Sequence, residues 1–221
     1  MFVAESLASG TANAAKHTMR VRTSLLVAAI ALVSSRANAQ GVHEDALPAP
    51  APVGAFETTL ATGYARGLGT TGAQSLASLS ADSLSARFTA GLRVNAAWSV
   101  ALAGELQVSD ASGTHNARGA GGGALVTWHL APERRVAPWI EYEAGYRRLW
   151  ETSPAGVRAE ADAFDLARVL VGIDLRASDL VAVGPATGGG VAVYASDGTR
   201  LGGFLFVGLQ GRFDLFSSVG D

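Results

Sequence analysis

Residues 98–109 alternate strictly. Trp98, Val100, Leu102, Gly104, Leu106 and Val108 hold one set of positions, and Ser99, Ala101, Ala103, Glu105, Gln107 and Ser109 hold the other. A period of two over this length predicts a β-strand with an apolar face and a polar face. The pattern recurs in approximately 54–66, 84–94, 98–110, 118–130, 136–150, 163–175, 180–195 and 201–214. No convincing amphipathic helix lies between these segments. The chain therefore reads as all-β, with eight strands.

The two faces differ in kind. In 84–94, Phe88, Ala90, Leu92 and Val94 oppose Arg87, Thr89, Gly91 and Arg93. In 136–150, Ile140, Tyr142, Ala144 and Tyr146 oppose Glu141, Glu143, Gly145 and Arg147. In 163–175, Ala167, Val169, Val171, Ile173 and Leu175 oppose Arg168, Leu170, Gly172 and Asp174. The last strand sets Leu205, Val207, Leu209 and Phe213 against Phe206, Gly208, Gln210 and Arg212.

One face is apolar and uninterrupted, while the other mixes glycine and small residues with charges of both signs. A soluble surface is denser in charge than this. Small residues with opposed charges suit the interior of a narrow barrel, which side chains fill. The apolar face then meets lipid. Arg87, Arg93, Glu105, Glu141, Glu143, Arg147, Arg168, Asp174 and Arg212 are the candidates for ion pairs inside. The alternative is a soluble, lipocalin-like periplasmic barrel of opposite parity, with Val169, Val171 and Ile173 turned inward.

The connections add direction. Residues 67–83 and 151–162 read as long loops, 111–117 as a medium loop, and 95–97, 131–135 and 176–179 as short turns. Residues 196–199 (SDGT) read as a hairpin turn. Long loops at one end and short turns at the other are characteristic of membrane barrels. Trp98, Trp128, Phe213 and Phe216 fall beside the short-turn ends, and Tyr64, Phe88 and Trp150 toward the long-loop ends. That distribution predicts two interfacial aromatic girdles. With Val94 opposite Trp98 across the 95–97 turn, antiparallel register sets Arg87 opposite Glu105, and the two are expected to pair.

The stretches FTAGLRVNAAWSVALAGELQV (88–108) and VLVGIDLRASDLVAVG (169–184) resemble the strand–turn–strand units of small eight-stranded bacterial outer-membrane barrels. The resemblance covers roughly residues 54–216. It implies an antiparallel up-and-down transmembrane β-barrel with both termini in the periplasm and long loops outside the cell. Members of that family commonly end on an aromatic residue read by the insertion machinery. Here Phe213, Leu215 and Phe216 could serve, but Ser217–Asp221 follow them.

Upstream of the strands, 19–39 (MRVRTSLLVAAIALVSSRANA) reads as an export signal. Arg20 and Arg22 form a positive start, Leu25–Val33 an apolar core too short to span a bilayer, and Ala37-Asn38-Ala39 a cleavage site. Residues 1–18 read as an extension upstream of a start at Met19. Residues 40–53, with the run ALPAPAPV, read as a Pro/Ala linker. Residues 54–216 are then the barrel domain and 217–221 a tail.

Composition narrows the function classes. The formal net charge of -2 offers no footprint for nucleic acid. Cysteine is absent, which excludes disulfides, thiolate metal sites and cysteine nucleophiles. Lys16 is the sole lysine, so a chain cleaved after Ala39 carries its positive charge on arginine alone. No catalytic, metal or cofactor motif stands out. The glycine-rich GAGGGAL at 119–125 lacks the following helix that phosphate binding requires, and reads as room for large neighbours.

Barrel enzymes that hydrolyse lipid A resemble this class of small barrels and use a His/Ser pair near the outer leaflet. Here His115 with Ser109 or Ser112 is the candidate base–nucleophile pair for such a lipid-A-modifying activity. The sequence offers equally little for a metal at His115 and Asp110. His129, beside a short turn, is expected to cap the interior. The expected role is structural or one of surface interaction through the outer loops. The expected protein is a monomer in contact with outer-membrane lipid, with any surface or peptidoglycan-side partner unnamed.

Overall fold

The computed structural model describes residues 54–68, 82–111, 115–152, 156, 158–178, 180–195 and 199–215, apart from the side chains of 110, 111, 115, 116, 199 and 200. The export segment, the linker, Phe216 and the tail lie outside these residues.

Eight strands run β1 (Phe56–Leu68), β2 (Asp82–Arg93), β3 (Trp98–Ala111), β4 (His115–His129), β5 (Val136–Thr152), β6 (Arg158–Arg176), β7 (Val181–Ala195) and β8 (Thr199–Leu215). Each pairs antiparallel with its neighbour in sequence, and β1 pairs with β8 to close the barrel. Closure leaves no strand edge, so the backbone hydrogen-bonding groups find partners within the sheet along the regular stretches of each strand.

The alternation fixes which face turns inward. Arg87, Glu105, Glu141, Arg168 and Arg212 are buried, while Leu84, Leu102, Leu106, Val169, Val171 and Ile173 lie exposed on the outside. Leu102 is 70% exposed and Arg87 only 2%. A soluble barrel would invert these values. The lipocalin-like parity is therefore excluded.

The strands run further than the alternation indicates at the end where β1–β2, β3–β4, β5–β6 and β7–β8 are joined. The medium loop at 111–117 and the long loop at 151–162 reduce to 112–114 and 153–157 between strands. Only 69–81 remains a long connection there. In the β6 segment the residues still alternate, but small alanines (Ala161 and Ala163) turn inward and the outward face is charged, so the apolar face that marks the other strands is missing there. Glu151 points inward, whereas Glu160 and Asp162 are outward and at least partly exposed.

One irregularity resets the pattern. Glu143 pairs with Arg168 and Gly145 with Asp165, so β6 holds one residue more than β5 at this point. The same bulge appears against β7. Ala161, Ala163 and Asp165 face inward before it, and Arg168, Leu170 and Asp174 after it. Leu166 has no register partner on either side. The Tyr142 hydroxyl donates to the Leu166 carbonyl at 3.0 Å. An unpaired carbonyl facing hydrocarbon is costly, and Tyr142 supplies the missing donor.

Candidate functional site

The interior is a packed ionic column in three tiers. Nearest the chain ends, Arg93 donates to Glu57 at 2.9 Å. Arg212 lies between Glu57, at 3.3 Å, and Asp174, at 3.0 Å. The Trp139 indole N–H donates to Asp174 at 3.0 Å, and the Arg212 guanidinium lies over the indole at 5.7 Å. Arg176 reaches Asp214 at 3.4 Å. The Trp139 ring occupies the place where a side chain on Gly172 would stand, so glycine is required there.

In the middle tier, Arg87 reaches both Glu141 and Glu143 at 2.7 Å. Arg168 forms a two-pronged pair with Glu105, at 2.6 and 3.0 Å. Ser85 donates to the same carboxylate at 2.5 Å. The expected pair of Arg87 with Glu105 is absent, although the two stand directly opposite in register. Side chains aimed at the axis of a narrow barrel converge there, so a long guanidinium meets carboxylates three strands away as easily as those beside it. The bidentate fork of Arg168 is also the stronger claim on Glu105.

Toward the opposite end, Arg147 donates to Asp165 at 3.0 Å and to Gln107 at 3.2 Å. Arg147 and Arg168 both lie over the Phe204 ring, at 4.9 and 4.7 Å. Gly121 sits between Glu105 and Arg147 on the neighbouring strands, and a side chain there would press on the Tyr146 carbonyl oxygen. Phe204, Phe206, Leu170 and Trp139 form an apolar cluster beside these charges.

Ala65, Ser83, Gln107, Ser109, Arg147, Tyr194 and Phe204 line a mouth of about 20 Å³ at this end. That space holds about one water and no larger ligand.

All nine of the interior candidates named from sequence are buried. Glu57, Asp165, Arg176 and Asp214 join them without having been named. Glu57, Arg176 and Asp214 continue the parity of Thr59, Asp174 and Arg212, so extending the alternation to the strand ends would have found them. Asp165 was hidden by the bulge.

The outer aromatics divide less cleanly. Trp98 and Trp128 stack at 5.6 Å on adjacent strands at the turn end, and Phe213 lies exposed on β8 near the same end. Trp150 and Tyr64 sit toward the opposite end. Phe88 does not. It pairs with Leu60 and Gly104 halfway along β2, so it belongs to the middle of the apolar belt. Phe216 lies outside the described residues.

His129 is buried at the turn end, 3.2 Å from the Ser99 hydroxyl. This is not a nucleophile with its base. Ser99 donates to Glu57 at 3.2 Å, and Arg212 lies 3.0 Å from both ring nitrogens, over a site closed to solvent. For the His115 pair, Ser112 and the His115 side chain lie outside the described residues, and Ser109 is buried at the mouth. Among the described residues, no group of three or more His, Cys, Asp or Glu could hold a metal ion.

No family model and no curated protein matches the chain. Among solved structures, Neisserial surface protein A is similar at 15% identity with a TM-score of 0.58, over 72% of this chain and 97% of that one. The attachment invasion locus protein Ail of Yersinia pestis matches at 13% identity and a TM-score of 0.42, over 72% and 99%. Outer membrane protein OprG of Pseudomonas aeruginosa matches at 10% identity and a TM-score of 0.42, over 75% and 99%. The likeness is one of fold, that of the small eight-stranded outer-membrane barrels, and the first of these carries it.

Proposed function

We propose that the protein is a monomeric barrel of the bacterial outer membrane. It is exported by cleavage after Ala39 and acts through the end of the barrel that bears the 69–81 connection. The observation that carries this reading is the inversion of the fold, with charge buried inside and an apolar belt outside. On β5 the outward residues from Val136 to Tyr146 cover about 33 Å of strand, or roughly 25 Å along the axis at the usual tilt. That height matches the hydrocarbon of an outer membrane.

The ends of the barrel are unlike. Beyond the belt on the loop side, outward faces carry Arg66, Asp82, Arg118, Arg148, Arg158, Glu160 and Asp162. At the other end, outward strand positions are Phe56, Trp98, Trp128, Val136 and Leu215, with no charge among them. The strands thus project out of the bilayer on the loop side, which gives that end a surface for contact with other molecules. The ionic column and its apolar cluster fill the interior, so the role is structural or adhesive rather than that of an open pore. An enzyme is disfavoured by the arrangement around Ser99 and His129.

Refolding of the chain from residue 40 into lipid vesicles tests the reading. Folded protein should migrate faster on a gel unheated than after boiling, and should produce no stepwise conductance in a planar bilayer. Failure to enter lipid overturns the membrane assignment, and ohmic channels overturn the filled interior.

A further inference from the structure

We propose that the outward faces of β4, β5 and β6, just above the apolar belt, bind a phosphorylated lipid headgroup through Arg118, which stands beside Trp150, and Arg158, one row further out. The proposal rests on the membrane-barrel reading above. Register defines the surface row by row. Gly122, Tyr146 and Phe164 form the last apolar row across the three strands. Ala120, Arg148 and Asp162 come next, then Arg118, Trp150 and Glu160, and then Arg158 beside Thr152.

The charges in these rows do not cancel in place. Arg148 takes both acids, reaching Glu160 at 2.5 Å and Asp162 at 3.6 Å, and the Tyr146 hydroxyl also bonds Asp162. Arg118 and Arg158 are exposed and have no acidic partner among the described residues. Elsewhere on the same rim, Arg66 is answered by Asp82 at 3.7 Å.

Two arginines with no acidic partner among the described residues thus stand where a bilayer keeps its headgroups, Arg118 directly beside the interfacial Trp150 and Arg158 one row further out on β6. A guanidinium fork matches phosphate oxygens in pairs, and anionic headgroups draw cationic side chains at this depth. The two arginines lie two strands apart, about 10 Å in the hydrogen-bonding direction. One headgroup carrying phosphate can therefore be gripped from both sides while its acyl chains lie along the apolar belt below.

The test uses the full mature chain folded in detergent micelles, with lipid binding read by native mass spectrometry. Diphosphoryl lipid A should form a complex at least about five-fold more abundant than lipid A stripped of its phosphates. The double variant Arg118→Gln with Arg158→Gln should lose that preference, and Arg66→Gln should keep it. Equal binding of the two lipids by the unaltered protein overturns the proposal, as does an unchanged preference in a double variant that retains heat-modifiable mobility. Displacement of the lipid by millimolar inorganic phosphate also overturns it, since the surface then takes free phosphate. A chain that fails to fold in lipid or detergent defeats the membrane-barrel reading instead, which separates the two failures.

Discussion

Arg87 on β2 and Glu105 on β3 stand directly opposite each other, yet neither charge answers the other. Arg87 turns to Glu141 and Glu143 on β5, and Glu105 is held by Arg168 on β6. Energetic coupling should follow the contacts and not the register. In double-mutant cycles, Glu105→Gln with Arg168→Met should couple by about 2 kcal/mol or more, and Glu105→Gln with Arg87→Met by less than about 0.5 kcal/mol. Urea unfolding in lipid vesicles gives both values. The reverse order would show that the interior pairs along strands.

Arginine placed on the outer face should cost more the deeper it lies. Leu102 is near the middle of β3, and Val108 is near its outer end. Leu102→Arg should destabilise the folded barrel by about 2–4 kcal/mol, and Val108→Arg by about 0–1 kcal/mol. The same unfolding assay measures both, and equal costs would contradict a lipid-facing belt.

The hydroxyl of Tyr142 should matter more than that of Tyr146. Tyr142 bonds the Leu166 carbonyl at the bulge, within the belt, whereas Tyr146 bonds Asp162 at the polar rim. Tyr142→Phe leaves that carbonyl unpaired against hydrocarbon and should cost about 1–3 kcal/mol. Tyr146→Phe, where water can replace the lost partner, should cost less than about 0.5 kcal/mol. Comparing the two variants removes any general effect of losing a phenol.

Topology is open to direct labelling, because the chain has no cysteine to give a background. Thr152→Cys, exposed at the outer end of β5, should react with a membrane-impermeant maleimide on intact cells. Asn95→Cys, in the turn between β2 and β3, should react only after the outer membrane is permeabilised. Labelling of Asn95→Cys alone would invert the barrel.

Export should leave a mature protein beginning at Gln40. Amino-terminal sequencing of the protein from an envelope fraction reads this directly, and a start at Met1 or Met19 would remove the argument for a cleaved signal.

The number of strands, their order and the face each turns inward were legible in the sequence because all three follow from local alternation. A side chain on a strand points to one side or the other by parity, and parity needs no knowledge of partners. Tight turns then fixed register, which is why the pairing of Arg87 with Glu105 along the backbone could be counted from Val94 and Trp98. Alternation misled where the outward face turns charged over an inward face of small alanines, so Glu160 and Asp162 looked like loop rather than strand.

The closed cylinder decided what parity could not. Bringing eight inward faces around one axis places Arg168 beside Glu105 and Arg212 between Glu57 and Asp174, although these residues lie far apart along the chain. The extra residue in β6 shifted Asp165 inward, and only its two neighbouring strands reveal that shift. Which residues enter the barrel is thus a property of each strand alone. Which charges meet inside depends on the reach of long side chains across a shared axis, and that distance exists only once the sheet has closed.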